Sequence, residues 1–178
     1  YAGKILGTDN ELNGFSFNGV GSTTVLEHLQ AYKGSDDGFE FFGGTANLKW
    51  AVSTGNSDDS FDWTHGWRGK GQFWVVQQDP VTGDNGMECD NWETNYTATP
   101  FSEPTISNFT LVGADDGSAK LWDLEGASAA LVPLHGATLR LQHMVLLALA
   151  PSAHSRPART IKNSCLVDAC VELPSHPD

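Results

Sequence analysis

Three carboxylates occupy equivalent positions in a repeated segment and have the spacing for shared chemistry. Glu40, Asp62 and Glu88 each lie four residues after the first residue of an acidic turn. Adjacent parallel strands stack about 4.8 Å apart, and like charges at that distance repel by about 1 kcal/mol even in bulk water. A row of this kind favours a bound cation, a shared proton or a cationic ligand.

A hard cation is the first of three interpretations of these acids. Ca²⁺ takes roughly six to eight oxygen ligands and prefers carboxylates. The sequence therefore predicts Ca²⁺ as the candidate cofactor, and the expected ligands are Asp58, Asp59, Asp62, Asp84 and Glu88.

Glycosidic bond cleavage is the second interpretation, with Glu40, Asp62 and Glu88 as the catalytic acids. Retaining glycosidases use two carboxyl groups about 5–5.5 Å apart, and inverting enzymes use a pair about 6.5–9.5 Å apart. Adjacent coils would supply the first distance, and alternate coils the upper end of the second.

Turn capping is the third interpretation, in which aspartates accept hydrogen bonds from local backbone amides. It accounts for the turn residues 36–37, 58–59, 84–85 and 115–116. It accounts poorly for the row of Glu40, Asp62 and Glu88, because a mid-strand carboxylate has no nearby unpaired amide.

Cations and tryptophans follow the middle repeat. Arg68 and Lys70 are expected either to offset the acids or to grip a uronate carboxylate and act as the base of a lyase, with His65 as proton carrier. Trp67 and Trp74 are predicted to lie outside, where their rings would stack on sugars or serve an interface.

The elements that position these residues repeat along the chain. The acidic turns begin at residues 36, 58, 84 and 115, which are 22, 26 and 31 residues apart. Periods of this size are typical of solenoids. Each repeat contains two short alternating segments bounded by Gly, Asn, Asp and Ser, and nothing before residue 127 has a helical stripe. These features predict an all-β, right-handed parallel β-helix, with a β-sandwich as the alternative fold.

Alternation within the strands predicts which side chains fill the coil. Phe39, Phe61 and Met87 are expected to stack inside consecutive coils, with Cys89 as a core thiol. In the other strand of the repeat, alternation places three residues on one face: Leu48, Trp50 and Val52.

Charge and composition divide the chain at residue 126. Residues 1–126 hold 19 acids against 6 Lys and Arg, and residues 127–178 hold 3 against 4, which together give the net charge of −12. The acidic part argues against nucleic-acid binding through phosphates. We assign residues 1–126 to the coils and residues 127–178 to a C-terminal cap or atypical tail. Within this second part, residues 138–146 are expected to form a final coil or a capping helix. Cys165 and Cys170 are close enough in the sequence to form a disulfide. No transmembrane span is predicted.

Residues 22–117 resemble a group of secreted bacterial proteins and lipoproteins, mostly of unassigned function. The likeness rests on the Lys33–Gln78 run and on residues 104–113. It implies a pectate-lyase-like right-handed β-helix, a secreted or cell-surface location, and a superfamily that includes lyases of acidic polysaccharides and polygalacturonases. Polygalacturonases carry Asp-Asp, His-Gly and Arg-x-Lys on separate coils, whereas here these motifs crowd into residues 58–70, so their roles do not transfer.

The expected function is a carbohydrate-active protein that binds a polysaccharide or glycan, as a polysaccharide lyase or glycoside hydrolase. A non-catalytic glycan-binding or adhesive solenoid stabilised by Ca²⁺ is the alternative, and a hydrolase without a local motif is a further one. The sequence contains no nucleophile elbow, phosphate-binding loop, CxxC pair or HExxH motif.

Overall fold

The computed structural model describes residues 2–7, 11–92, 94–95 and 97–113, and two later strands. The strands are β1 Phe15–Asn18, β2 Val25–Tyr32, β3 Phe39–Phe42, β4 Asn47–Thr54, β5 Phe61–Thr64, β6 Lys70–Gln77, β7 Asn85–Cys89, β8 Thr105–Val112, β9 Lys120–Asp123 and β10 Arg140–Leu147.

Odd and even strands form separate parallel sheets. The first sheet has the order β1-β3-β5-β7-β9, and the second has the order β10-β8-β6-β4-β2. Each strand therefore pairs with the equivalent strand of the neighbouring coil, which confirms the predicted parallel β-helix and is consistent with a right-handed one. Among the described residues there is no helix, and hence none long and apolar enough to cross a membrane.

Stacked aromatic rings fill the coil. Phe39, Phe61 and Met87 have no solvent exposure, as predicted, and Cys89 is a buried free thiol. The ring of Phe39 stacks on Phe15 at 4.9 Å and on Phe61 at 5.0 Å. Because equivalent side chains lie one above another, each coil buries its apolar side only against its neighbours.

One left-handed residue interrupts each described strand of the second sheet from β2 to β8. His28, Trp50, Phe73 and Asn108 all have φ between 51° and 58° and occupy adjacent register positions. The interruption reverses the inward and outward alternation of the strand. The prediction that Leu48 and Trp50 share a face is therefore wrong, because Leu48 is buried and Trp50 is 39% exposed.

The second sheet continues beyond residue 126. β10 pairs with β8 from Arg140↔Thr105 to Leu147↔Val112. The described part of the predicted segment is therefore a strand of a further coil and not a capping helix. The division of the chain at residue 126 stays a prediction. Cys165 and Cys170 lie outside the described residues.

Candidate functional site

The three carboxylates form the predicted row. Glu40 is the register partner of Asp62, and Asp62 is the register partner of Glu88. Ser16 precedes Glu40 in the row, and Asp123 occupies the next register position after Glu88. The sequence pattern missed Asp123 because the segment after its acidic turn is longer than in the other repeats.

The row is less open than alternation alone suggests. Glu40 and Glu88 are half-buried, whereas Asp62 between them is only 7% exposed. Glu40 accepts a hydrogen bond from the side-chain amide of Asn13. The Oδ1 atom of Asp62 is buried and has no hydrogen-bond partner. Solvent can therefore reach the two outer carboxyl groups more readily than the central one.

Two turn aspartates connect successive coils. Oδ1 of Asp37 accepts a hydrogen bond from the backbone N–H of Asp59 at 3.0 Å. Oδ1 of Asp59 accepts one in turn from the backbone N–H of Asn85. The two aspartates do accept backbone hydrogen bonds, but the donor belongs to the next coil, so the predicted capping of local amides is not what Asp37 and Asp59 do.

Hydrogen bonds between carboxyl groups occur within the row and between the row and the turn aspartates. Burial, and then a hydrogen bond with Asp59, raise the pKa of Glu88 to about 10. Burial, and then the charges of Asp37 and Glu40, raise the pKa of Asp62 well above its usual value, and Asp62 also shares a hydrogen bond with Glu40. A protonated carboxyl can donate to an ionised neighbour, so Glu88 donates to Asp59 and Asp62 donates to Glu40.

The turn column itself resists ionisation. Burial, followed by the charge of Asp59, raises the pKa of Asp37 to about 9. Burial also raises the pKa of Asp59, although its hydrogen bonds with Glu88 and Asn85 act in the opposite direction. The main charges acting on these groups are other acids, so a proton or a cation is needed to neutralise them.

Carboxylate oxygens come together in groups that could hold a cation. In one group, oxygens of Asp58, Asp59 and Asp84 all lie within 4.8 Å of one another. A second group brings together Asp37, Glu40 and Asp62. The first contains three of the five predicted Ca²⁺ ligands, and the second adds Asp37 and Glu40, which were not predicted as ligands.

His65, Arg68 and Lys70 follow β5, on the opposite side of that strand from the acidic turn. His65 follows that strand, with its ring 4.4 Å from the ring of Trp92 and 5.8 Å from that of Phe42. Arg68 is exposed in the turn that follows, and its backbone N–H donates to Gly44. Lys70 begins β6 and lines a groove on the second sheet. Arg68 and Lys70 are not among the main influences on the pKa of Asp62 or Glu88.

Trp67 and Trp74 are core residues, and their predicted external position is wrong. Both have no solvent exposure. The indole N–H of Trp67 donates to Ala46 O at 3.2 Å, and that of Trp74 donates to Leu48 O at 3.0 Å. The left-handed conformation of Phe73 turns the next residue inward, which is why Trp74 faces the core.

A column of aromatic rings on the second sheet was missed. The ring of Trp50 stacks on His28 at 4.5 Å and lies 6.2 Å from Phe73 with only 4° between the planes. We call His28, Trp50 and Phe73 the aromatic column. The sequence signals this column only by an aromatic ring at the same place in three successive repeats. Strict alternation hides the signal, because it places Trp50 on the same face as the core residue Leu48.

The fold and the carboxyl row define a parallel β-helix protein with an acidic outer face. Residues 1–148 match the family model of the pectate-lyase-like β-helix domain, and the chain belongs to that family. The resemblance noted in the sequence is thereby confirmed and extends beyond residues 22–117. No curated protein and no solved structure matches the chain.

Proposed function

We propose that this chain is a glycoside hydrolase that cleaves a polysaccharide with the carboxyl row. The observation that carries the proposal is Glu88, a half-buried carboxyl on the outer face of the first sheet whose pKa is raised to about 10. A carboxyl that keeps its proton at neutral pH and can still be reached is in the protonation state that the general acid of glycoside hydrolysis needs.

Glu40 supplies the complementary base. The protonated carboxyl of Asp62 donates to Glu40 and thereby favours its ionised form. Glu88 gives its proton to the glycosidic oxygen as the bond from that oxygen to the anomeric carbon breaks. A water molecule attacks the anomeric carbon, and its proton passes to Glu40.

The register of the row favours inversion at the anomeric carbon. Glu40 and Glu88 are separated by Asp62 and therefore by two strand spacings, or about 9.6 Å at the backbone. This backbone separation is just above the range of about 6.5–9.5 Å between carboxyl groups that leaves room for an attacking water, and it is well above the roughly 5–5.5 Å of a retaining pair.

A lyase is less well supported. Lyase chemistry on acidic sugars needs a cation to hold the uronate carboxylate and a base beside it. Arg68 and Lys70 lie in the turn after β5 and at the start of β6 rather than within the row, and His65 packs against Trp92. Their predicted catalytic roles stay predictions, tested by variants of each.

A product screen separates the two reactions. The protein is incubated with diverse polysaccharides, with and without chelator, and both new reducing ends and unsaturated sugars are measured. We expect reducing ends without unsaturated products. Unsaturated products would establish a lyase, and binding without cleavage would establish a glycan-binding solenoid.

A secreted or cell-surface bacterial location belongs to the same proposal. It is supported by the resemblance to secreted bacterial proteins and by membership of the pectate-lyase-like family. Localisation of the full-length protein by cell fractionation tests this point.

A Ca²⁺-stabilised solenoid that binds glycans is the second candidate. The group formed by Asp58, Asp59 and Asp84 favours it, because three carboxylate oxygens within 4.8 Å of one another provide part of the coordination that Ca²⁺ takes. Asp62 and Glu88, the other predicted ligands, are not members of this group.

Calcium binding predicts a change in thermal stability. A ligand that binds only the folded protein stabilises it by about 2.7 kcal/mol at 100 times its dissociation constant, so Tm should rise by several degrees in millimolar Ca²⁺ and fall again with chelator. The test is thermal unfolding of the protein and of Asp58→Asn. An unchanged Tm for the unsubstituted protein would show that the site does not exist.

Asp62→Asn is expected to stabilise the protein at pH 8. Folding raises the pKa of Asp62, so the folded state holds a proton that the unfolded state releases above about pH 4. The free energy of unfolding therefore falls as pH rises, by up to about 1.4 kcal/mol per pH unit for each such group. The asparagine side chain does not titrate, so the contribution of residue 62 to this fall in unfolding free energy disappears. Its amide can still donate a hydrogen bond to Glu40.

The measurement is urea unfolding at pH 5 and pH 8. The difference in unfolding free energy between these pH values should be smaller for the variant than for the unsubstituted protein. An equal or larger difference would mean that Asp62 is ionised in the folded state.

A further inference from the structure

A groove on the outer face of the second sheet lies apart from the carboxyl row. Its volume is about 620 Å³. The floor comes from β2, β4, β6 and β8, and one wall comes from the turn that precedes β2. Most of its lining side chains carry hydroxyl, amide or ammonium groups, among them Thr24, Asn47, Lys49, Lys70, Gln72 and Ser107. We call it the lysine groove.

The lysine groove concentrates positive charge on an acidic protein. Residues 1–126 contain only 6 Lys and Arg, and two of them, Lys49 and Lys70, line this groove from adjacent strands. Glu27 is the register partner of Lys49 and offsets one charge. Lys70 is exposed at the first position of β6, so its ammonium group is available to a ligand.

The aromatic column borders the lysine groove. In β4, the left-handed Trp50 places two consecutive side chains, Lys49 and Trp50, on the outer face. The Lys49 ammonium lies 5.1 Å from the centre of the Trp50 ring. Trp50 and Phe73 are 39% and 41% exposed, and Val75 is 40% exposed beside them. Non-glycine residues adopt the left-handed backbone only at a cost in free energy. The same conformation nevertheless recurs in successive strands, and it holds the rings of Trp50 and Phe73 on the outer face next to the two lysines.

We infer that the lysine groove and the aromatic column together bind an anionic glycan chain, at a site distinct from the carboxyl row. The acidic group of a sugar contacts Lys49 and Lys70, and its hydroxyls pair with the amide and hydroxyl side chains of the groove. The apolar edges of the sugar rings lie against the exposed parts of Trp50 and Phe73. The inference does not depend on catalysis by the carboxyl row.

Calorimetric titration with defined glycans tests this site. The probes are oligogalacturonate, which carries carboxylates, dextran sulfate, which carries sulfates, and uncharged dextran. We expect at least one anionic probe to bind and dextran not to bind at the same concentration. The double substitution Lys49→Gln and Lys70→Gln should weaken binding at least tenfold, and added salt should weaken binding to the unsubstituted protein.

Lys33→Gln is the matched control, because Lys33 is an exposed lysine on the turn after β2, and the groove lining does not include it. It removes one charge and should leave affinity within about twofold of the starting value. Thermal unfolding checks that each variant is folded, and Lys70→Gln alone is used if the double variant is not.

Four results would overturn the inference: no binding of either anionic probe, equal binding of dextran, unchanged affinity in the groove variants, or an equal loss in Lys33→Gln. Binding of one anionic probe alone identifies the acidic group that the site accepts. The groove lining includes no residue of the carboxyl row, so a protein without hydrolase activity should still bind the anionic probe.

Discussion

Glu88→Gln is expected to lower kcat by a factor of about 10²–10⁴ on any polysaccharide that the protein cleaves. The amide fits the same space and can still donate to Asp59, but it cannot transfer a proton to a leaving sugar. Glu88 is half-buried and its raised pKa keeps it neutral at pH 7, so a neutral amide of the same size replaces it without a change of charge and the folded state should persist. The measurement is the initial rate of reducing-end release together with thermal unfolding of the same preparation.

Glu103→Gln is the control for this substitution, because Glu103 is an exposed glutamate in the segment before β8. It makes the same chemical change away from the row and should leave kcat unaltered. A leaving group that needs no protonation, such as dinitrophenolate, should restore much of the rate of Glu88→Gln. Full activity of Glu88→Gln on the polysaccharide would contradict the assignment of Glu88 as the acid.

Trp74→Ala is expected to lower the free energy of unfolding by about 3–5 kcal/mol. Trp74 is fully buried, its ring lies 4.0 Å from that of Phe61, and its N–H donates to Leu48 O. Trp50→Ala removes the same side chain from the outer face of the neighbouring strand. It should cost only about 1 kcal/mol, the value of its ring contacts with His28 and Phe73.

Urea unfolding of the two variants under identical conditions measures the difference. The comparison tests the reversal of alternation in the second sheet directly, because alternation alone puts Trp50 with the core residue Leu48 and leaves Trp74 outside. Equal losses for the two variants, or the larger loss for Trp50→Ala, would contradict the fold at this point.

The repeat made the architecture and the row predictable. Equal spacing from each acidic turn to Glu40, Asp62 and Glu88 fixes the register of three strands, and the parallel pairing agrees with it. Strict alternation in the short strands of the first sheet also predicted the burial of Phe39 and Phe61. Local sequence sufficed here because neighbouring coils repeat the same local pattern.

The second sheet was harder to predict because a single left-handed residue in a strand decides whether each later side chain of that strand points to the core or to solvent. A left-handed residue in the middle of a strand is usually glycine or asparagine, and Trp50 and Phe73 give no such signal. The burial of Trp67 was missed for a related reason. It follows Gly66, whose φ of 74° redirects the chain.

Proton sharing could not be predicted from spacing either. The sequence shows that Glu40, Asp62 and Glu88 are neighbours, but not that Asp62 is nearly buried or that Asp59 accepts a hydrogen bond from the next coil. Both features depend on side chains from three coils packed together. Because of these two features, the carboxyl groups of the row differ in their tendency to ionise, and we therefore propose Glu88 as the acid and Glu40 as the base.

The protonation state of Glu88 tests the account most directly. Carbon-13 NMR of protein labelled at the glutamate side-chain carboxyl carbon follows each group as pH is raised from 3 to 9, and Glu88→Gln identifies the Glu88 signal. Burial and the hydrogen bond with Asp59 raise the pKa of Glu88 to about 10, so we predict that this signal stays at the protonated position through neutral pH. A titration midpoint near 4.5, the ordinary value for glutamate, would show that Glu88 is ionised at neutral pH and would contradict its role as the acid.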